Sequence, residues 1–131
     1  MKILTLKMRI LVLWIFTAVS ITAESVFALY DKGGIEKVMS GEVSANLVLW
    51  TCRWLIPFVL AFLTVNLRDK PNRITNLVLG AIFVAFNIFQ FVMRAALGQD
   101  LPPFLIIIIV LTTIANALIL WYAIRWPKYE K

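Results

Sequence analysis

The sequence contains no histidine and a single cysteine, Cys52, among its 131 residues. One cysteine excludes an internal disulfide, and the absence of histidine removes the commonest zinc ligand and general base. The chain also lacks a glycine-rich phosphate loop, a dinucleotide-binding fingerprint, a CxxC pair and the paired acids of a glycosidase. These absences favour a protein that is not an enzyme and that uses neither a cofactor nor a metal.

Charged residues are scarce as well, at 15 % of the chain, whereas apolar residues make up 62 %. Soluble domains contain about 45–50 % apolar and about 25 % charged residues. A soluble chain of this length could not bury so much apolar surface, because small domains bury only about two-thirds of what they expose when unfolded. A lipid bilayer as the solvent removes the conflict. The composition therefore predicts an all-α, polytopic membrane protein with one domain, residues 1–131.

Four stretches are long and apolar enough to form transmembrane helices, since crossing about 30 Å of hydrocarbon requires about 20 helical residues. They cover residues 10–29, 46–66, 76–97 and 104–126. The connections between them are short, so sequence neighbours are expected to run antiparallel. The prediction is a four-transmembrane-helix antiparallel bundle.

The distribution of lysine and arginine predicts the orientation of this bundle. Nine basic residues flank the spans on one side, and only Lys32 and Lys37 lie on the other. The nine are Lys2, Lys7, Arg9, Arg68, Lys70, Arg73, Arg125, Lys128 and Lys131. The positive-inside rule then predicts an N-in/C-in, multi-pass protein of the bacterial inner membrane. The net charge is +6, and the basic residues that produce it are expected to contact anionic lipid headgroups rather than nucleic acid.

The first span has a second interpretation. Its basic residues, the apolar residues 10–19 and Ala23 also resemble a secretory signal peptide. The apolar stretch continues past Glu24 to Leu29, which is longer than a typical signal core. We therefore expect a retained first helix.

The first outer loop, residues 31–43, begins with the turn signal Gly33-Gly34. Within it, Ile35, Val38 and Met39 fall on one helical face. This spacing predicts a short amphipathic helix in the membrane interface, with a plain loop as the alternative.

Polar residues inside the spans are the candidates for a functional site, because they are costly in hydrocarbon and usually face protein or water. Glu24 and Arg53 lie at similar depths in antiparallel helices, so we expect an ion pair between them. Asn87, Gln90 and Arg94 share one helical face in the third span. These five residues form the predicted polar network, in the outer half of the bundle.

Two interpretations of this network stay open. It is either a structural network that holds the helices together or a site for an ion or a small ligand. One acid against two arginines favours an anionic or strongly polar ligand over a metal. Separately, the small residues Ala81 and Ala85 allow close helix contact, which is compatible with a homo-oligomer or a membrane-protein partner.

Several short motifs resemble those of a family of small uncharacterised bacterial four-span membrane proteins. They are Leu13-Trp14-Ile15-Phe16, Val38-Met39-Ser40-Gly41, Ile56-Pro57 and Asn72-Arg73-Ile74-Thr75-Asn76. The likeness covers residues 8–90. It implies four spans and a bacterial origin and assigns no activity.

The length, the four spans and an acidic residue in the first helix, Glu24, are also similar to small multidrug-resistance transporters. Here Glu24 lies near the far end of its helix, Arg53 is expected to neutralise it, and the glycine-rich packing motifs are missing. The expected function is a structural or accessory bundle that binds a partner or a small polar ligand. The alternative is a small-molecule or ion transporter.

The predicted orientation can be tested with cysteines introduced at positions 2 and 131 in a Cys52→Ser background. Both ends are expected to stay unlabelled by a membrane-impermeant maleimide in whole cells and to react after the cells are lysed. Labelling of either position in intact cells contradicts the N-in/C-in topology.

Overall fold

A computed structural model of the chain describes residues 3–30, 33–40, 47–99 and 101–126. Within these ranges the protein is helical and contains no strand. The helices are α1 (Ile3–Tyr30), α2 (Gly34–Met39), α3 (Leu47–Asn66), α4 (Asp69–Ala96) and α5 (Pro103–Ile124).

Three of these helices, α1, α4 and α5, are long and apolar enough to cross a membrane. The protein is therefore membrane-embedded. In α3 the apolar part with described side chains, Thr51–Asn66, is shorter. Lys2, Lys32, Lys128 and Lys131 of the predicted charge pattern lie outside the described residues, as do the side chains of Lys37 and Val38.

Two helices begin earlier than the apolar pattern predicts. Helix α1 starts at Ile3 and includes Lys7, and α4 starts at Asp69 and so includes most of the polar segment expected as a loop. This segment suits a first helical turn. The Asp69 carboxylate is favourable near the positive end of the helix dipole. Pro71 has no backbone N–H, and in the first turn that N–H would have no hydrogen-bond partner within the helix. The short helix predicted after the first span is present as α2.

The long helices pack in the order α3–α1–α5–α4. Helix α1 packs against both α3 and α5, and α5 packs against α4. Helices α3 and α4 are sequence neighbours but make far less contact with each other. They are joined close to the turn between them, where Asn72 Nδ2 donates to the Thr64 carbonyl at 2.6 Å.

Basic side chains connect the four helix ends at one end of the bundle, which we call the basic end. Lys7 Nζ lies 3.1 Å from Asp69 Oδ1 and donates to the Leu67 carbonyl at 3.2 Å. Arg73 Nε donates to the Ala123 carbonyl near the end of α5 at 3.1 Å. The opposite end, where α1 ends and α5 begins, is the distal end.

Helices α4 and α5 approach each other closely at Gly80. A Cβ atom at this position would lie 3.4 Å from the Leu120 backbone nitrogen and 3.5 Å from Ile119 Cγ2. The approach fixes the register of the antiparallel pair. Gly80 faces α5, whereas Ala81 and Ala85 lie on the exposed surface of α4.

The long helices expose many large apolar side chains, and they bury polar side chains beside an apolar core. Val12, Phe89 and Ile107 are more than half exposed, whereas Thr17 and Asn116 are completely buried. An outer surface this apolar is not what water as a solvent selects. It agrees with hydrocarbon around the bundle, where polar groups must find their partners inside the protein.

Candidate functional site

The buried polar residues lie at helical spacing on the inward faces of the four long helices, so they form a column along the bundle. The column runs from the basic end to the distal end. Its buried members are Thr17 and Glu24 on α1, Thr64 on α3, Asn72, Asn76 and Asn87 on α4, and Thr112 and Asn116 on α5.

The expected ion pair between Glu24 and Arg53 is present in the distal half. Arg53 Nη2 donates to Glu24 Oε2 at 3.2 Å, and the two side chains are only 13 % and 10 % exposed. The Arg53 guanidinium also lies over the ring of Phe86 on α4, 5.4 Å from its centroid. The pair compensates its own charge and links α1 to α3, while the arginine extends the contact to α4.

The three predicted site residues on α4 differ from one another in their surroundings. Asn87 is buried, and its Nδ2 has no hydrogen-bond partner in the described part of the chain. Gln90 is half-buried, and its Oε1 atom is buried and unpartnered among the same residues. Arg94 is half-buried and forms no ion pair within the described ranges.

Nearer the basic end, a fully paired network connects α1, α3 and α4. Trp14 Nε1 donates to Asn76 Oδ1 at 2.7 Å, and Asn76 Nδ2 donates to Asn72 Oδ1 at 2.7 Å. Asn72 in turn donates to the Thr64 carbonyl. All four residues are at most 1 % exposed. Phe83 covers the network with an edge-to-face contact to Trp14, with 5.3 Å between the ring centroids.

The prediction of site residues missed this network. Asn72 lay in the expected loop and Asn76 at the start of the expected span, so neither was counted as buried. A signal was available in the sequence: the face that carries Asn87 continues backward through Phe83 and Gly80 to both asparagines at helical spacing.

Between the paired network and the ion pair, α1 and α5 meet through polar side chains. Thr17 Oγ1 lies 3.3 Å from Asn116 Oδ1 and 2.9 Å from the Leu13 carbonyl. Asn116 Nδ2 and Thr112 Oγ1 are buried and have no partner among the described residues. This middle level is therefore polar and only partly paired.

A separate groove of about 320 Å³ lies on the surface between α1 and α3. Its lining is mostly apolar, and its two hydroxyl groups are already bonded within the protein: Thr22 accepts from Trp54 Nε1 at 2.7 Å, and Ser25 donates to the Ile21 carbonyl. The groove suits an apolar chain, such as a lipid tail. It is not the polar site.

The buried column offers hydrogen bonding rather than covalent chemistry. Its groups are amides and hydroxyls, together with one carboxylate that is already paired with an arginine. Among the described residues, no cluster of acids and cysteine is arranged to hold a metal ion. Such a site can bind and orient a small polar molecule.

Comparisons of the chain with family models, with curated proteins and with solved structures found no match. The resemblance to small bacterial four-span proteins therefore stays a prediction from short motifs.

Replacing Asn76 with leucine tests the paired network. Asn76→Leu leaves the indole N–H of Trp14 and the side-chain oxygen of Asn72 without their partner, at a cost of about 1–3 kcal/mol for each buried group. We expect a lower melting temperature of the purified protein in detergent. Asn66→Ala is the matched control, because Asn66 is exposed and bonds only to its own helix. Equal melting temperatures for the two variants contradict the network's structural role.

Proposed function

We propose that this chain is a multi-pass protein of the bacterial inner membrane that crosses the bilayer four times, with both termini in the cytoplasm. The outward apolar and inward polar side chains support the membrane solvent. The basic end gathers Lys7, Arg68, Arg73 and Arg125, in keeping with the positive-inside rule.

The fourth span in this proposal is α3, which has 20 residues, about the length needed to cross the hydrocarbon. Its contacts with α1 support this assignment. Trp54 donates to Thr22 and Arg53 pairs with Glu24 near the distal end, while Thr64 lies beside the Asn72–Asn76 network nearer the basic end. A helix packed along the length of α1 shares its membrane environment.

We propose that the bundle is structural or accessory, and that it binds a partner or a small polar ligand. The observation that carries this proposal is the uneven pairing of the buried column. The network around Asn76 is paired, whereas the levels from Asn116 to Gln90 contain unpartnered amide and hydroxyl groups beside the ion pair. A paired network that holds the helices next to groups with free hydrogen-bonding capacity suits binding.

The proposed partners are the lipid bilayer and either a second copy of the chain or another membrane protein. The exposed surface of α4 around Ala81 and Ala85 favours this helix for such a contact, since small residues let helix backbones approach.

A transporter of small molecules or ions is the second candidate. It is favoured by the continuity of the buried column, which holds polar side chains at successive levels from Gln90 to Asn72. Transport through this column requires Trp14 and Phe83 to move, because their rings close the path beside Asn76.

A double-mutant cycle of Glu24→Gln and Arg53→Gln tests the structural role of the ion pair. Arg53→Gln removes the arginine partner of the buried Glu24 carboxylate, and Glu24→Gln removes the carboxylate from Arg53, so each is expected to destabilise the bundle, by up to about 3–5 kcal/mol. The double variant is expected to lose much less than the sum of the two. The measurement is the free energy of unfolding in detergent.

The matched control is the cycle of Lys7→Met and Asp69→Asn. This ion pair has a similar length but its aspartate is half exposed, so its coupling is expected to stay below about 1 kcal/mol. If Glu24→Gln and Arg53→Gln both unfold like the wild type, the accessory-bundle proposal loses its support.

Flux measurements on reconstituted vesicles separate the two candidate functions. An accessory bundle is expected to carry no flux of protons, anions or organic cations under an imposed gradient. Flux that is present in the wild type and lost in Asn87→Leu supports the transporter instead, because that change removes a polar group from the middle of the column.

A further inference from the structure

Besides Trp126 Nε1 at the basic end, the middle and distal levels of the bundle contain four buried polar atoms without a hydrogen-bond partner among the described residues. They are Asn87 Nδ2, Gln90 Oε1, Thr112 Oγ1 and Asn116 Nδ2. Native proteins leave few such atoms unpaired, and those that remain usually bind water or a ligand. A group of four in one region therefore points to an occupant.

The packing of α4 on α5 brings the central two of these residues to the same level. Gly80 faces Ile119 across the antiparallel pair. Two helical turns from Gly80 toward the distal end lead to Asn87, and two turns from Ile119 in the same direction lead to Thr112. Asn87 and Thr112 are only 3 % and 4 % exposed.

The other two residues extend this level by one turn on either side. Gln90 lies one turn beyond Asn87 toward the distal end, and Asn116 lies one turn from Thr112 toward the basic end. The unpartnered atoms thus occupy about three turns of adjoining helix rather than scattered positions.

The open capacity of Asn116 does not depend on how its amide is turned. The Thr17 hydroxyl has one proton, and the Leu13 carbonyl at 2.9 Å takes it. In the orientation of the structure, Thr17 Oγ1 lies 3.3 Å from Asn116 Oδ1, and Asn116 Nδ2 is open. If the amide is turned over, Thr17 accepts a hydrogen bond from Nδ2, and Oδ1 is open instead. In either orientation one amide atom of Asn116 needs a partner from elsewhere.

The neighbouring groups are already satisfied and mark the limits of the region. Toward the basic end, the amides of Asn76 and Asn72 are paired with Trp14 and with the Thr64 carbonyl. Toward the distal end, Glu24 is paired with Arg53. The other unpartnered buried atom among the described residues, Trp126 Nε1, lies at the basic end, beyond the paired network.

The charge of the region decides what kind of molecule fits. The four open groups are uncharged, and the Glu24–Arg53 pair compensates itself. Arg94, the charged residue that follows on the same face of α4, lies two turns beyond Asn87 toward the distal end. An ion at the level of Asn87 and Thr112 would therefore lack an adjacent counter-charge in a buried environment, which is costly. An uncharged molecule that both donates and accepts hydrogen bonds can pair with amides and a hydroxyl.

We propose that Asn87 and Thr112, flanked by Gln90 and Asn116, form a binding site for a small uncharged molecule of the primary-amide class. The inference rests on the proposed function, since it names the small polar ligand of the accessory bundle. The amide of the ligand replaces the partners that Asn87 and Thr112 lack among the described residues, and Gln90 and Asn116 lie one turn to either side of it.

Acetamide and acetate test the proposal, because they have nearly the same shape and differ in charge. Saturation-transfer NMR is recorded on the full chain in lipid nanodiscs with each probe at millimolar concentration. We expect transfer to the acetamide methyl group in the wild type, no transfer to acetate, and loss of the acetamide signal in Thr112→Val and in Asn87→Leu.

Thr113→Val is the matched control for Thr112→Val. Thr113 is adjacent in sequence, is half-buried and donates to the Ile109 carbonyl within its own helix. This variant is expected to keep the acetamide signal. An acetamide signal that persists in both Thr112→Val and Asn87→Leu overturns the assignment, as does an equal signal from acetate.

The melting temperature of Thr112→Val gives a second, independent sign. Replacing a buried hydroxyl that has no hydrogen-bond partner with a methyl group raises the melting temperature. Removing a hydroxyl that binds an occupant lowers the melting temperature by several degrees. A rise overturns the proposal. A fall without any acetamide signal means that the site holds only water, which also overturns the ligand assignment.

These outcomes are separate from those of the ion-pair cycle. Strong coupling between Glu24 and Arg53 together with no acetamide signal removes the amide site and leaves the accessory bundle intact. If Glu24 and Arg53 show no coupling but acetamide transfer is specific, the structural role of the ion pair is removed and the amide site remains.

Discussion

The structure depends on the pairing of polar groups inside a bundle whose outer surface is apolar. Hydrocarbon offers no hydrogen-bond partner, so each inward amide, hydroxyl or charge must be satisfied by another helix or by a bound molecule. The Trp14–Asn76 bond is the central example, because one asparagine joins an indole on α1 to Asn72 on α4. Asn72 then reaches the backbone of α3. Three helices are held in one register by bonds that only this packing allows.

The two halves of the bundle are constrained to different degrees. At the basic end, the paired asparagines, the Lys7–Asp69 ion pair and the Arg73 cap on α5 connect all four long helices. Helices α3 and α4 make little contact with each other, and in the distal half the Arg53 side chain on α3 lies over Phe86 on α4. A buried ion pair such as this one favours a specific arrangement more than it adds stability. The distal half is thus the half in which an occupant can complete the packing.

Much of the local structure was predictable because it depends on short-range patterns. Apolar runs indicated the three helices that are long enough to cross a membrane, and Gly33-Gly34 with the following apolar face indicated α2. The Glu24–Arg53 pair followed from equal depth in antiparallel neighbours. Helices α1 and α4 begin before the predicted spans, because charged and polar residues such as Lys7 and Asp69 continue a helix without contributing to its apolar signal.

The sequence by itself determined that the helices would be apolar outside, that Glu24 would find Arg53, and that polar side chains would share the inward faces. These properties follow from helical spacing and from the cost of a lone charge in hydrocarbon. Only the tertiary structure decided which polar atoms are paired. The choice depends on the order α3–α1–α5–α4 and on the close approach at Gly80, which bring Asn76 to Trp14 but leave Asn87 Nδ2 and Thr112 Oγ1 without partners among the described residues. Contacts between distant segments depend on how the helices are arranged and aligned relative to one another. The spacing of residues along one helix does not contain that information.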